Sequence, residues 1–153
     1  MTVRLWQRNA MGAAVAVVAV AAHITFISGP AWERYQHRVH PAHIAAAGQS
    51  VTVNGQTWTV RNVHRSTHQR SGLPLPDGTV LVNVVVQRSG PGPAGFDCVG
   101  YLVAGERSWR GTGPWCGAAE TSMAWSFLIP AGTEFTAVEA RALDRSIVIR
   151  FEL

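Results

Sequence analysis

Lysine is absent, acidic residues are few, and only two cysteines occur in a chain of 153 residues. No cysteine lies within the first thirty residues and no twin arginine is present, which argues against a lipid-modified N-terminus and against twin-arginine export. Equally missing are the G-x-S-x-G, H-E-x-x-H and P-loop words, along with any acid–base set close in sequence. Gly-Thr-Gly at 111–113 lacks the following lysine or helix that a phosphate cradle needs, so it reads as a turn. The expectation is a protein without catalytic residues, cofactor or metal site.

What charge there is lies unevenly. The net charge of +4 would suit a nucleic-acid or anionic-membrane partner, and all thirteen basic residues are arginine. Before residue 48, Arg4, Arg8, Arg34 and Arg38 face the single acid Glu33; from residue 48 onward nine arginines face eight acids. The basic excess therefore flanks the N-terminal apolar segment, and the rest of the chain is not a nucleic-acid binder by charge.

Residues 9–32, "NAMGAAVAVVAVAAHITFISGPAW", form the longest stretch without Arg, Lys, Asp or Glu. Its 24 residues would cover a hydrocarbon core of roughly 30 Å as one helix. Two readings compete. As a signal anchor, residues 1–8 are a short cytoplasmic tail and 9–32 span the lipid bilayer. As a cleaved signal peptide, Arg4 and Arg8 form the basic start and Val20-Ala21-Ala22 the small-residue site, leaving a secreted domain. Apolar character resumes at Ile24, Phe26 and Ile27, and Trp32 and Tyr35 suit an interfacial belt, so the anchor is favoured. Arg4, Arg8 and the terminal amine then keep the N-terminus cytoplasmic and put the remainder outside. His23 reads as a neutral imidazole within the span.

A stalk is expected over 33–48. It holds His37, His40 and His43, whose spacing of three could place imidazoles on one helix face for zinc, copper or nickel. Pro41 opposes that reading, because it removes an amide and disfavours helical geometry at His40. A helix that continues for a turn or two and stops near Pro41 is the simpler expectation.

Over 49–153 the apolar period changes to two. "SVTVNGQTWTVRNV" gives a hairpin turning at Asn54-Gly55, a pair that readily takes the positive φ of a type I′ turn. Further runs are "TVLVNVVVQRSG", "VGYLVAG", "RSWRG", "MAWSFLIP", "EFTAVEAR" and "SIVIRFEL". Val80 to Val86 reads as a central strand buried on much of both faces; loops are expected at "STHQRSGLPLPDG" and "PGPAGFDC". About eight strands without a helical stretch predict an antiparallel immunoglobulin-like β-sandwich, with Trp58, Trp125, Phe127 and Phe151 as core candidates. The words "GQSVTVNGQTWTV", "LPDGTVLVNVVVQRSG", "YLVAGERSW" and "WSFLIPAGTEFTAVEA", in this order, resemble the telokin-like (DUF4352-type) domains of bacterial surface proteins over residues 48–153. That resemblance implies an immunoglobulin-like fold outside the cytoplasm and no assigned catalytic residues. The chain departs from it by carrying a membrane helix in place of a lipidated cysteine and by its cysteine pair.

Outside the cytoplasm, Cys98 and Cys116 are expected to form a disulfide, since their spacing matches no C-x-x-C or zinc pattern. A site assembled from His64 and His68 with Glu106 or Asp97 is conceivable but has no motif behind it. For recognition, the candidate tip is Glu106, Arg107, Trp109, Arg110 and Trp115, because Trp and Arg dominate binding hot spots and the neighbouring glycines would let a partner approach. The partner expected is another envelope or membrane protein.

Overall fold

The computed structural model describes residues 2–69, 71–90, 96–117 and 119–153; the expected loop at 91–98 lies mostly outside the described residues, and its last residue, Cys98, proves to open a strand. The chain divides into two compact units, Met1–Gln36 and His37–Leu153.

The first unit is helical. Helix α1, Thr2–His23, passes through one wide turn, Ile24–Ser28, into α2, Gly29–Val39, whose last residues already belong to the second unit. Pro30 explains the wide turn. It has no N–H to give the carbonyl four residues back, and the Gly29 N–H reaches five residues back to the Ile24 carbonyl. The Thr25 hydroxyl donates to the Ala21 carbonyl at 2.8 Å, so the disturbed stretch retains polar partners. This helix is long and apolar enough to cross a membrane, and Val15, Val18, Ile24 and Phe26 are all exposed.

The second unit is a two-layer sandwich. One sheet has the order β1-β9-β8-β5-β6 and the other β2-β3-β4-β7. The ranges are β1 His43–Ala45, β2 Ser50–Val53, β3 Gln56–Ser66, β4 Thr79–Arg88, β5 Cys98–Ala104, β6 Arg107–Arg110, β7 Ser122–Pro130, β8 Ala137–Ala142 and β9 Ile147–Glu152. Connections from β4 to β5 and from β6 through β7 to β8 change sheets, the Greek-key pattern of immunoglobulin-like domains. The pairing is antiparallel except for β1, which runs parallel to β9. The sandwich therefore starts at His43, inside the stretch expected to be stalk. Three residues with two exposed side chains carry no period-two signal, and backbone pairing with β9 makes the strand.

Alternation explains the core. Val82, Val84 and Val86 of β4 and Met123, Trp125, Phe127 and Ile129 of β7 point between the sheets, meeting Leu102, Val138, Ala140, Ile149 and Phe151 from the other layer. Leu81 and Val85, on the opposite face of β4, remain half-buried, so that strand is less enclosed than its valine run suggests. It is β5 that is covered on both faces. In β3 the inward set shifts from Trp58 and Val60 to Val63, and a bulge between Val60 and Asn62 absorbs the change of phase. Asn54 and Gly55 both take positive φ, 51° and 75°, at the β2–β3 turn.

Candidate functional site

The two cysteines are joined: Cys98 opens β5, and Cys116 lies in the loop that carries the chain from β6 to β7, with Cα atoms 4.9 Å apart. The Cys116 N–H also donates to the Cys98 carbonyl at 3.0 Å. Between them β5 and β6 form a hairpin. Gly105 adopts φ 58° as the first central residue of its two-residue turn, the position that a type II′ turn reserves for glycine.

The five residues expected to form one recognition tip are divided by this geometry. Glu106 and Arg107 are exposed at the hairpin turn. Trp109 pairs with Leu102 and packs half-buried against the core. Arg110, its chain neighbour, is exposed opposite Tyr101, because successive strand residues face opposite ways. Trp115 is not on the hairpin; it belongs to the following loop, where it remains 48% exposed.

That loop is held at several points along its length. Gly111 N–H donates to Gly100 O at 2.8 Å, and Thr112 and Ser126 exchange backbone hydrogen bonds at 2.9 and 2.8 Å. Trp125 Nε1 donates to the Pro114 carbonyl at 2.9 Å. The buried Arg88 guanidinium donates to the carbonyls of Cys116 and, at 3.0 Å, Glu120, while lying over the Trp58 ring. Burial lowers the Arg88 pKa from its ordinary value, the expected response of a cation taken out of water.

The glycines have a different purpose from the one expected. A Cβ on Gly100 would collide with the Trp125 indole, one on Gly111 would come within 2.7 Å of the Phe127 ring, and one on Gly113 would strike the Ala124 carbonyl and the same indole. Instead of leaving space for a partner, these glycines let the loop lie flat on the core aromatics. Trp115 is thereby an exposed indole between Pro114 and Cys116, two positions whose backbone is fixed. The same loop walls an open cleft of about 370 Å³ with Glu120 and with Ser122, Ala124 and Ser126 of β7.

A charged cluster on the five-stranded sheet went unnoticed in the sequence. Glu139 is 1% exposed and pairs with Arg141 at 2.6 Å and Arg150 at 3.1 Å; the Arg141 guanidinium lies 4.5 Å above the Tyr101 ring. Burial works against the charge of Arg150, but Glu152 and Glu139 more than offset it and raise its pKa. The signal was legible: Glu139-x-Arg141 and Arg150-x-Glu152 occupy one face of adjacent antiparallel strands. Its ions are satisfied by one another, so it reads as a sheet brace.

Among the described residues no three His, Cys, Asp or Glu side chains are placed to share a metal ion. His37 and His40 lie on α2 and just after it, and His43 is on β1, all exposed. His64 is exposed on β3 and His68 bonds the neighbouring Thr67 hydroxyl at 3.0 Å, whereas Glu106 lies at the hairpin turn of the other sheet and Asp97 just before β5.

The class is therefore an immunoglobulin-like β-sandwich behind an N-terminal apolar helix that fits a membrane anchor or a signal sequence. No protein-family model matches the chain. No curated protein matches it either. Among solved structures it is similar to a secreted protein from Mycobacterium tuberculosis, MPT63, with 17% identity over 74% of this chain and 98% of that one and a TM-score of 0.48. It is also similar to an uncharacterized β-sandwich protein from Clostridium difficile 630, with 8% identity over 72% of this chain and 93% of that one and a TM-score of 0.44.

Proposed function

We propose that the protein is a single-pass cell-envelope protein, its N-terminus cytoplasmic, whose extracytoplasmic sandwich binds another envelope or membrane protein and carries out no chemistry. The telokin-like assignment belongs to the same proposal. Support for the location comes from the uncharged stretch 9–32 of the helix, the arginines before it and a disulfide that an oxidising compartment would maintain.

The observation that carries the interaction reading is Trp115. A large apolar ring held in water on a backbone that cannot rearrange loses little freedom when a partner covers it, and Trp is among the residue types most enriched at binding hot spots. The adjoining cleft supplies Glu120, Ser122 and Ser126 as polar neighbours. Trp109, packed against the core, is the structural counterpart and not part of the contact.

A photo-cross-linking residue at position 115 of the full chain, in its native membrane, is expected to give one discrete protein adduct, while the same residue at Leu128, also 48% exposed, gives none. Trp115→Ala should keep stability within about 0.5 kcal/mol, as for an ordinary surface change. Identical patterns at 115 and 128 would remove Trp115 from the interaction.

A further inference from the structure

We propose that the β8–β9 turn, residues 143–146, is a membrane-contacting element that docks on the anionic head groups of the leaflet from which the helix emerges. The proposal rests on the anchored reading of residues 9–32 and adds a second, separate contact with the bilayer.

The first observation is where the turn is held. Arg38 Nε, in the last turn of α2, donates to the Asp144 carbonyl at 3.1 Å, and Ala42 N–H donates to the Ile147 carbonyl at 2.9 Å. The turn thus lies against the first residues of the second unit. Trp32, which ends the uncharged stretch, stacks on Tyr35 with ring centroids 5.5 Å apart, an aromatic pair suited to the head-group level. Six residues lead from Trp32 to Arg38. Even fully extended they reach no more than about 20 Å, so the tether is short enough for Arg38, and the turn it bonds, to reach the head-group level.

The second observation is what the turn exposes. Leu143 is 59% exposed, and Val39, beside Arg38, is exposed as well. Arg145 is exposed, with no ion pair among the described residues, and adopts φ 71°, a left-handed backbone that Gly or Asn would accept more cheaply. A long cation thus stands where the backbone disfavours a side chain. The one acid present, Asp144, turns back on its own loop: its carboxylate accepts from the Ser146 N–H at 2.9 Å and hydroxyl at 2.7 Å. Those bonds, chiefly the one from the hydroxyl, lower its pKa from the ordinary value, with a smaller Coulombic contribution from Arg38. The exposed set is a leucine beside two arginines and one carboxylate already bonded within its own loop, a net charge of +1 next to an apolar side chain, the composition that enters the boundary between acyl chains and phosphates.

The test uses the full chain in bilayers of phosphatidylcholine with or without phosphatidylglycerol, each containing a head-group spin-labelled lipid. With phosphatidylglycerol present, amide relaxation at 143–146 is expected to be enhanced several-fold over that at Gly105 and Glu106, and to fall back in the double variant Leu143→Ser, Arg145→Asn. Asparagine accepts the left-handed backbone, so the variant keeps its turn. Enhancement at 143–146 no greater than at 105–106, in a chain that stays embedded, overturns the docking and leaves the anchor intact. Equal enhancement without phosphatidylglycerol overturns the anionic preference. A chain that never enters the bilayer overturns the anchor, and the docking with it.

Discussion

Replacing Trp125 by alanine is expected to destabilise the sandwich by about 3–5 kcal/mol, the range for removing a fully buried tryptophan. The side chain is 1% exposed and lies between Gly100 of β5 and Gly113 of the loop, so no neighbour is free to fill the cavity. The change also orphans the Pro114 carbonyl, which accepts the indole N–H at 2.9 Å. A domain of this size has a net stability of roughly 5–15 kcal/mol, and the loss consumes a large part of it. Urea unfolding monitored by circular dichroism measures the effect. A loss below about 1 kcal/mol, typical of a surface change, would mean that Trp125 does not fill the space between the sheets.

Removing the disulfide is the second large effect. Replacing Cys98 and Cys116 together by alanine opens a loop of 17 intervening residues, which the chain-entropy model values at about 3 kcal/mol, equivalent to a fall in melting temperature of roughly 10–20 °C. The cysteines and Trp125 hold the same loop, so the two effects should not add. In the cystine-free background Trp125→Ala should cost less than in the native one, because the Pro114 bond is already weakened; a coupling of about 0.5–3 kcal/mol is expected. Strict additivity in a double-mutant cycle would show that the loop is fixed by one of them alone. With the disulfide lost, Trp115 should also become mobile, and adduct formation at position 115 should spread over several products.

The features legible in the sequence are those written in local pattern. Asn54-Gly55 fixes the first hairpin because few other dipeptides accept two positive φ angles in succession. Trp58 and Phe151 stand between polar neighbours, Trp125 and Phe127 flank Ser126 at period two, and all four prove to be buried. The cysteine pairing followed from compartment and spacing, and the bond is present. What could not be read was settled by contacts between distant segments. β1 exists because β9 is beside it, Arg88 is buried because the carbonyls of Cys116 and Glu120 accept its hydrogen bonds, and Gly100 is glycine because Trp125, on the other sheet, needs the space.

The candidate site is the instructive case. Trp109 and Arg110 are consecutive strand residues and could not share a face; period two alone forbids it. That much was available from the sequence. The exposure of Trp115 was not, since it follows from a loop pressed onto Phe127 and Trp125 by glycines whose neighbours only the fold reveals.

An anchored envelope protein requires an uncut helix leading to an oxidised domain outside the cytoplasm. Intact-mass measurement of the native protein, taken separately from membranes and from the surrounding fluid, tests this directly. The expected result is a membrane species beginning at Met1 or Thr2, close to the 16.5 kDa of the full chain and about 2 Da below its reduced mass. A soluble species beginning near His23, with the membranes empty, would contradict it.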